Sequence, residues 1–374
     1  MSTVPGTYKL SLEGYRTFVP CPLPPQFSLT AEVYRQVEEA IYLLGQVEAS
    51  RTLLPNADLL IYSSLQREAL ASSTIEGTIA SPDELVLFQV SRSSEREAVR
   101  EVANYGDALA WGVQEISTRP ITTNLILGLH GKLMDRVRGS HTAGRFRDRQ
   151  NHIGTRSRQG IEEAIFIPPA PQDVRELIAE LEIYINSQNE ESKLVQCAIA
   201  HYQFETIHPF GDGNGRVGRL LIVLQMIQLG LLSAPLIYPS VYFERTRDDY
   251  YRLLQDVRES GAWNDWIGYF VQGVKEQCKE TIDFTQTILK LKTRLHREIQ
   301  NVRRRHSLNT VLDVFFASPI LTPKNISESG NLSLGAVRSA LSDLEELEIV
   351  YEVTGKKKGR VYACTPLLDV IFDR

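Results

Sequence analysis

The sequence predicts a mainly α-helical chain that carries one short β-hairpin and ends in a smaller unit of three helices and a basic hairpin. Apolar residues recur at spacings of three and four through most of the chain before residue 306, which is typical of amphipathic helices. The segment "NHIGTRSRQGIEEAIFIPPAP", residues 151–171, breaks this pattern with glycines, a polar turn and a β-prone "AIFI" closed by prolines. From about residue 306, short helical segments are followed by strand-like ones.

Composition sets the first limits on function. With 374 residues, 43% hydrophobic and 23% charged, the chain is long enough for two or three domains. Its formal net charge of -5 argues against a general attraction to nucleic acid or membrane surfaces. The longest apolar run, "LLIVLQMIQLGLLSAPLI", contains two glutamines and a glycine and predicts a buried helix, so we expect no membrane contact.

Cysteine spacing and the first residues predict the compartment. The start, "MSTVPGTYKL", lacks the basic and apolar segments of a secretory signal. The four cysteines form no CxxC pair, which argues against a zinc ribbon or a disulfide scaffold: Cys21, Cys197, Cys278 and Cys364. A reducing compartment is therefore expected, by default the cytoplasm.

An N-terminal helical region follows an irregular, proline-rich opening, "FVPCPLPPQF". From about Thr30, an amphipathic helix is predicted by a stripe of Val33, Val37, Ile41 and Leu44. A second helix, "LLIYSSLQREALASSTIEG", ends at Gly77. Further helices are predicted at about 82–91, 94–118, 122–136, 172–187 and 190–205, and long helices run from Trp266 to about Arg305.

The C-terminal unit, residues 306–374, resembles a winged helix. Three helices precede two strands, "VYEVTG" and "GRVYAC", joined by three lysines. Residues 290–374 hold 14 Lys and Arg against 10 Asp and Glu, a net of +4, so basic charge is concentrated here. DNA is one candidate partner. A protein contact, including a homodimer, is the alternative, because the presumed third helix offers Arg338 against four acids: Asp343, Glu345, Glu346 and Glu348.

These segments divide the chain into four parts. We expect an N-terminal region over 1–94, a helical core over 95–285, a linker helix over 286–305 and the winged-helix-like unit over 306–374.

One stretch, "HPFGDGNGRVGR" at 208–219, contains a histidine, an acid, an amide, two arginines and several glycines between helical segments. Its glycines fit the dinucleotide pattern G-x-G-x-x-G, but a helical "KLVQCAIAHYQFETI" precedes it where a strand is required. A metal site from His201, Glu205 and His208 is disfavoured, because Pro209 pushes His208 out of helical geometry. A salt-bridged helix start would not need this combination of His, Asp, Asn and two Arg.

The favoured interpretation is an anion cradle at a helix N-terminus. The glycine-rich loop runs directly into an apolar helix, whose unpaired amides would face a phosphate. Arg216 and Arg219 lie three residues apart and could clamp successive phosphates. Asp212 fits such a site if it holds Mg²⁺ on the phosphates, and His208 is a candidate general base.

These residues resemble the signature H-x-F-x-[D/E]-G-N-G-R-x-x-R of the Fic (Fido) family, which they match without a gap: His208, Phe210, Asp212, Gly213, Asn214, Gly215, Arg216 and Arg219. The resemblance implies an all-helical Fic core at about 95–285. It also implies transfer of AMP from ATP to a Ser, Thr or Tyr hydroxyl of a target protein, and to the chain itself.

The resemblance assigns a role to each signature residue. His208 would deprotonate the target hydroxyl, Asp212 would hold Mg²⁺, and a buried Phe210 would anchor the loop. The phosphates of ATP would be bound by Asp212 with its metal and by Gly213, Asn214, Gly215, Arg216 and Arg219. Arg219 would reach the γ-phosphate.

Two further segments gain a role from the same resemblance. The predicted hairpin matches the family's flap, whose edge could pair with an extended target segment through Ala164, Ile165, Phe166 and Ile167. Tyr250, in "DDYYRLL", lies where the family lines its adenine pocket, although helix packing explains the tyrosine equally well.

A second motif, "SSTIEG" at 72–77, resembles the family's inhibitory pattern [S/T]-x-x-x-E-[G/N], with Ser72, Glu76 and Gly77 on the specified positions. Glu76 would pair with Arg219 and make ATP bind in an unproductive pose. The resemblance implies the subgroup that carries its inhibitory helix ahead of the core. Two alternatives remain open, which are a de-AMPylase using the same site and a DNA-binding regulator whose core senses nucleotide.

Overall fold

The computed structural model describes residues 5–53, 58–91, 96–155, 161–301 and 305–372. Its first element is an antiparallel hairpin of β1 (Gly6–Leu10) and β2 (Arg16–Pro20), with Tyr8 opposite Phe18. The irregular opening predicted from residue 18 is therefore wrong for the first three of its residues. A tight turn makes the pairing local, since Gly14 takes a φ of 87° and its amide donates to the Ser11 carbonyl at 3.0 Å.

Four helices form the N-terminal region and the entry to the core. They are α1 (Ala31–Arg51), α2 (Asp58–Ile75), α3 (Pro82–Ser91) and α4 (Glu97–Ile116). Thr30 caps α1 by accepting from the Val33 amide. The predicted stripe of α1 is wrong at Ile41, which is exposed, because Ala40 continues the buried face between Val37 and Leu44.

The core continues with α5 (Thr123–Leu133), α6 (Val174–Asn186), α7 (Lys193–Ile207) and α8 (Asn214–Gln228). Between α5 and α6, strands β3 (Ile153–Thr155) and β4 (Ala164–Phe166) pair antiparallel, with Ile153 opposite Phe166. This is the predicted hairpin, and its turn at 156–160 lies outside the described residues.

The centre of the molecule is the antiparallel pair α7 and α8. Nearly every residue of α7 is buried, and so are the first three turns of α8. Helices α2, α4 and α5 pack against α8, and α6 packs against α7. The loop 208–213 that joins α7 to α8 is therefore held by a rigid, fully packed base.

Three helices follow: α9 (Pro239–Arg245), α10 (Arg247–Ser260) and α11 (Trp263–Glu298). Helix α11 is continuous over 36 residues and packs along α1. The boundary predicted between 285 and 286 falls inside it, so core and linker share one helix. Within the described ranges, no helix is both long and apolar enough to cross a membrane.

The C-terminal unit has four helices and three strands. They are α12 (Arg305–Phe315), β5 (Ile320–Leu321), α13 (Pro323–Gly330), α14 (Leu334–Glu346), β6 (Val350–Glu352), β7 (Tyr362–Cys364) and α15 (Thr365–Phe372). The sheet order is β5-β7-β6, all antiparallel. Strand β5 and helix α15 were not predicted, and neither were the earlier helices α9 and α10. Helix α15 packs on α2 and α11, and Arg67 donates to its Ile371 carbonyl at 2.7 Å.

Candidate active site

The loop between α7 and α8 owes its shape to two left-handed residues. His208 ends α7 with φ 49° and ψ 61°, and its amide still bonds the Phe204 carbonyl. Gly213 precedes α8 with φ 78°. The proline after His208 disfavours a further helical turn, and glycine carries the second left-handed position without strain. The first amides of α8, which have no partner within the helix, therefore begin close to the histidine in the chain.

Asn214 braces this loop from inside. Its side-chain oxygen accepts from the Phe210 amide at 2.7 Å, and its nitrogen donates to the Phe210 carbonyl at 2.8 Å. Asn214 and Phe210 are both buried. Both polar atoms of the Asn214 side chain thus form hydrogen bonds that hold the loop in shape. Phe210 is buried, as the sequence predicts.

His130 on α5 supports the loop from the other side and was not predicted. Its Nδ1 accepts from the Gly144 amide at 3.0 Å, which leaves Nε2 to donate to the Asp212 carbonyl at 3.1 Å. Its ring stacks on Phe210 with centroids 3.8 Å apart. Burial lowers the pKa of His130 to about 4, so the ring is neutral at pH 7.

A cavity of about 470 Å³ lies beside the loop. Its wall brings together distant predicted site residues: Glu76, Ile165, Phe166, His208, Gly215, Arg219 and Tyr250. Segments 72–77, 164–167 and 208–219, which are far apart in the sequence, therefore meet at one place.

His208 presents a defined nitrogen to this cavity. Its Nδ1 lies 3.3 Å from the Glu205 carbonyl and donates to it, so Nε2 keeps its lone pair. Burial, followed by the nearby Arg258 guanidinium, lowers the pKa of His208 to about 3. The ring is therefore uncharged at neutral pH and can accept a proton.

Glu205 places a second titratable group next to this base. Its carboxyl oxygen lies 3.9 Å from His208 Nδ1. Burial raises the pKa of Glu205 to about 7, although Arg219 opposes the rise.

Arg219 is held by the motif upstream. Its Nη2 donates to Glu76 at 2.7 Å and to the Ser72 carbonyl at 2.9 Å, while its Nε donates to the Ser72 hydroxyl at 2.8 Å. Burial opposes ionisation of Glu76, but Arg219 outweighs it and lowers the pKa of this carboxyl. The ion pair is therefore present at neutral pH. The buried Nη1 of Arg219 has no hydrogen-bond partner among the described residues.

Two glycines beside this ion pair are required for different reasons, Gly215 by close approach and Gly77 by its left-handed backbone. A Cβ on Gly215 would lie 2.2 Å from Glu76 Oε1 and 2.9 Å from Arg219 Nη1. Gly77 has a φ of 83° and turns the chain just after Glu76. Any side chain at 215 would displace the Glu76 carboxylate or the guanidinium.

Arg216 is held by a carboxylate that sequence patterns did not reveal. Its Nη1 lies 2.8 Å from Glu101 on α4, and the same carboxylate oxygen accepts from the Thr78 hydroxyl at 2.9 Å. Glu101 thus connects the cradle to the segment that follows Glu76. No spacing rule links residues 101 and 216, so only the fold brings them together.

Asp212 offers the carboxylate that a magnesium ion would need. Its side chain is about half exposed, one oxygen accepts from the Gly213 amide at 2.6 Å, and Arg216 lies 3.6 Å away. The described residues contain no cluster of three or more metal-ligating side chains. This donor set fits Mg²⁺ that is held by one carboxylate and phosphate oxygens, since this ion keeps several waters.

Tyr250 lies in the cavity wall but is almost fully buried. Its hydroxyl bonds His201 Nε2 at 2.8 Å, and its ring stacks on Phe243 with centroids 5.0 Å apart. Its neighbour Tyr251, which is 38% exposed, presents more of its ring to solvent at the same cavity. Tyr250 therefore contributes packing, and its predicted contact with adenine stays a prediction.

The buried histidines predict acid sensitivity of the fold. Burial lowers the pKa of His201 to about 3 and of His130 to about 4, both below the ordinary 6.5. In the unfolded chain both histidines have the ordinary pKa of 6.5, so they bind protons at a higher pH than in the folded chain. The free energy of unfolding therefore contains the full contribution of each histidine above pH 6.5 and loses it as the pH falls toward 4 and 3. At pH 5.5 we expect a loss of about 1 kcal/mol per histidine. Urea unfolding at pH 7.5 and 5.5 measures this loss. The free energy of unfolding of a His201→Gln variant should change less between the two pH values than that of the parent, and an equal change would contradict the prediction.

The buried α7–α8 pair, its glycine-rich loop and the guanidinium groups beside it define a helical protein with an anion-binding loop at a helix N-terminus. Residues 34–114 match the Fic/DOC family N-terminal model and residues 120–226 match the Fic/DOC family model, together half of the chain. The chain belongs to the Fic/DOC family.

Curated relatives and solved structures agree with this membership. A protein adenylyltransferase Fic from Drosophila mojavensis is 32% identical over 165 residues, which are 44% of this chain and 28% of the relative. The match therefore spans less than a third of that relative's length. A Fic family protein from Desulfovibrio desulfuricans G20 has the same fold, with a TM-score of 0.58, 20% identity and coverage of 90% of this chain and 97% of its own. Fic-1 from C. elegans aligns with a TM-score of 0.54 at 20% identity, over 69% of this chain and 74% of its own.

Proposed function

We propose that the chain is a protein adenylyltransferase, which transfers AMP from ATP to a Ser, Thr or Tyr hydroxyl of a target protein and of itself, and that Glu76 inhibits it. One observation carries the proposal, which is that His208, Arg219 and Glu76 line the same cavity. A neutral base, a phosphate-binding guanidinium and a competing carboxylate then share one site. The name of the Drosophila relatives agrees with this activity.

In this reaction the acceptor oxygen attacks the α-phosphorus of ATP, the bond to the bridging oxygen breaks, and pyrophosphate leaves. His208 Nε2 takes the hydroxyl proton. The phosphates of ATP would add negative charge beside His208 and raise its pKa from about 3 toward the operating pH.

The cradle would stabilise the phosphates. The Gly215 amide at the α8 N-terminus would donate to a phosphate, as would the Gly213 amide once it leaves the Asp212 carboxylate. Arg216 would neutralise the phosphates after release from Glu101. Arg219 Nη1, buried without a partner in the described part of the chain, fits a phosphate oxygen. Asp212 would hold Mg²⁺, which when bound withdraws charge from phosphate oxygens.

Removal of AMP from a modified protein is a second candidate activity of the same site. The Glu76 carboxylate is one-third exposed in the cavity that also contains His208. A carboxylate in this position can orient a water toward a phosphorus atom.

Labelled ATP tests the reaction class. The chain is incubated with Mg²⁺ and ATP labelled either at the α- or at the γ-phosphate. AMP transfer predicts that α-label appears on protein and γ-label leaves as pyrophosphate. Protein labelled by γ-ATP alone would indicate phosphoryl transfer and contradict the proposal.

A further inference from the structure

The flap is fixed to the base-bearing helix by contacts that lie outside the signature and inhibitory motifs. Its strand β4 turns Phe166 inward, where the side chain is 4% exposed, whereas Ile165 points outward at 52%. Its ring contacts the Arg258 guanidinium, which lies 4.0 Å from the ring centroid, and the Phe18 ring, with centroids 5.7 Å apart. These two residues, together with the pairing to β3, hold β4 in position.

Arg258 on α10 joins the flap to the end of α7. Its Nε donates to the Thr206 hydroxyl at 3.2 Å and its Nη2 to the Glu205 carbonyl at 3.4 Å, two and three residues before His208. The side chain is buried. Taking a cation out of water is costly, so these bonds and the ring face are what hold it in place. One guanidinium therefore contacts both the flap and the helix end that carries the base.

The N-terminal hairpin β1–β2 supports the flap through Phe18, the second residue that contacts Phe166. The Phe18 amide on β2 donates to the Ile167 carbonyl at 3.0 Å, directly after β4, and the Phe18 side chain is 1% exposed. Tyr8 packs edge-on against Phe18 with centroids 5.3 Å apart, and Arg16 lies 4.4 Å over the Tyr8 ring. This hairpin precedes both segments that match the family.

We propose that Phe18 and Arg258 are positioning residues for protein acceptors: they clamp Phe166 so that the edge 164–167 stands at a fixed distance from His208. The inference rests on the proposed function and adds a part of the chain that the family motifs leave without a role. An acceptor segment lying on this edge needs its hydroxyl within reach of Nε2, and a small misplacement of reacting groups costs much rate. Water needs no strand edge, so its attack on ATP does not depend on the clamp.

The test measures how AMP divides between protein and water. In the Glu76→Gly background, Phe18→Leu keeps the buried volume but removes the ring, and Arg258→Lys keeps charge but loses the fork of donors. Each purified variant is incubated with Mg²⁺ and α-labelled ATP, and protein-bound AMP and free AMP are counted in one reaction. We expect protein-bound AMP to fall about 10- to 100-fold while free AMP is retained. Affinity for a non-hydrolysable ATP analogue should be unchanged.

A matched control separates positioning from general loosening of the fold. Phe27 belongs to the same N-terminal segment but stacks on Trp263, with centroids 5.6 Å apart, away from the flap. Phe27→Leu in the same background should leave the ratio of the two products unchanged. If Phe18→Leu lowers the melting temperature so far that this variant is unfolded, the ratio of protein-bound to free AMP in Arg258→Lys decides whether the positioning role holds.

The outcomes are distinct. An unchanged ratio in both variants, or an equal fall of both products, overturns the positioning role. A Glu76→Gly parent that binds ATP yet labels no protein overturns the proposed function instead, and the positioning role with it.

Discussion

Replacing Glu76 by glycine is expected to raise self-labelling from α-labelled ATP by about tenfold to a hundredfold, the worth of one charge-assisted hydrogen bond. In the present structure Arg219 Nη2 donates a hydrogen bond to the Glu76 carboxylate at 2.7 Å. A γ-phosphate must displace this carboxylate or bind elsewhere. Without it, Nη2 and also Nη1, which has no hydrogen-bond partner among the described residues, would become available to the nucleotide. The measurement is the initial rate of label incorporation at fixed ATP and Mg²⁺.

A second glutamate at a helix end provides the control. Glu115 lies in the last turn of α4 and pairs with Arg119, far from the cavity lining. Glu115→Gly removes a glutamate–arginine ion pair at the surface, whereas Arg219 is buried, and it should leave labelling at the parent rate. If Glu76→Gly also labels at the parent rate while remaining folded, Glu76 does not inhibit this enzyme.

The inhibitory contact also explains how a buried guanidinium is tolerated. Arg219 is 1% exposed, and a buried cation without partners is strongly destabilising. Ser72 and Glu76 supply those partners when the site holds no nucleotide, and phosphate oxygens could replace Glu76 without leaving the charge alone. Ser72 accepts two hydrogen bonds from Arg219, and neither of them depends on whether Glu76 or a phosphate is the third partner. The proposed inhibition and the stability of the buried Arg219 would then come from the same hydrogen bonds.

The sequence allowed much of the site to be predicted because its chemistry is local. The twelve positions 208–219 contain the predicted base, the phosphate-binding residues and the proposed metal-binding acid, and the spacing alone places them at a helix N-terminus. The Glu76–Arg219 pair spans 143 positions and could be predicted only through the family resemblance. The helices that were given bounds in advance, such as α4 and α6, begin and end within a few residues of those bounds because their apolar faces are regular, whereas α9, α10 and α15 were not predicted.

The remaining residues could not be predicted, since their roles depend on packing. His130 is one polar position on an apolar helix face, and Ile126, Leu129 and Leu133 around it indicate only burial. Glu101 and Arg258 look like ordinary surface charges on amphipathic helices. The β1–β2 hairpin is short, and its strands are fixed by contacts with α7 and the flap. Long-range partners of this kind leave no periodic trace in a single sequence.

Replacing His208 by alanine is expected to abolish AMP transfer, a loss of about 100- to 10,000-fold if it acts as general base, while nucleotide binding persists. In the proposed site the phosphate contacts would come from the α8 amides and the two arginines, none of which depends on the imidazole. His208 Nδ1 makes a single bond at 3.3 Å to the Glu205 carbonyl, so its removal should disturb the loop little. The measurement pairs α-label transfer in the Glu76→Gly background with calorimetric binding of an ATP analogue.

His141, an exposed histidine in the turn after α5, supplies the matched control. His141→Ala should transfer AMP at the parent rate. If His208→Ala does the same, the proton is taken by another group, and Glu205 becomes the first candidate. Burial raises the pKa of Glu205 to about 7, and its carboxyl lies within 3.9 Å of the imidazole it would replace. A Glu205→Gln variant then distinguishes the two bases, since it removes the carboxylate and leaves His208 in place.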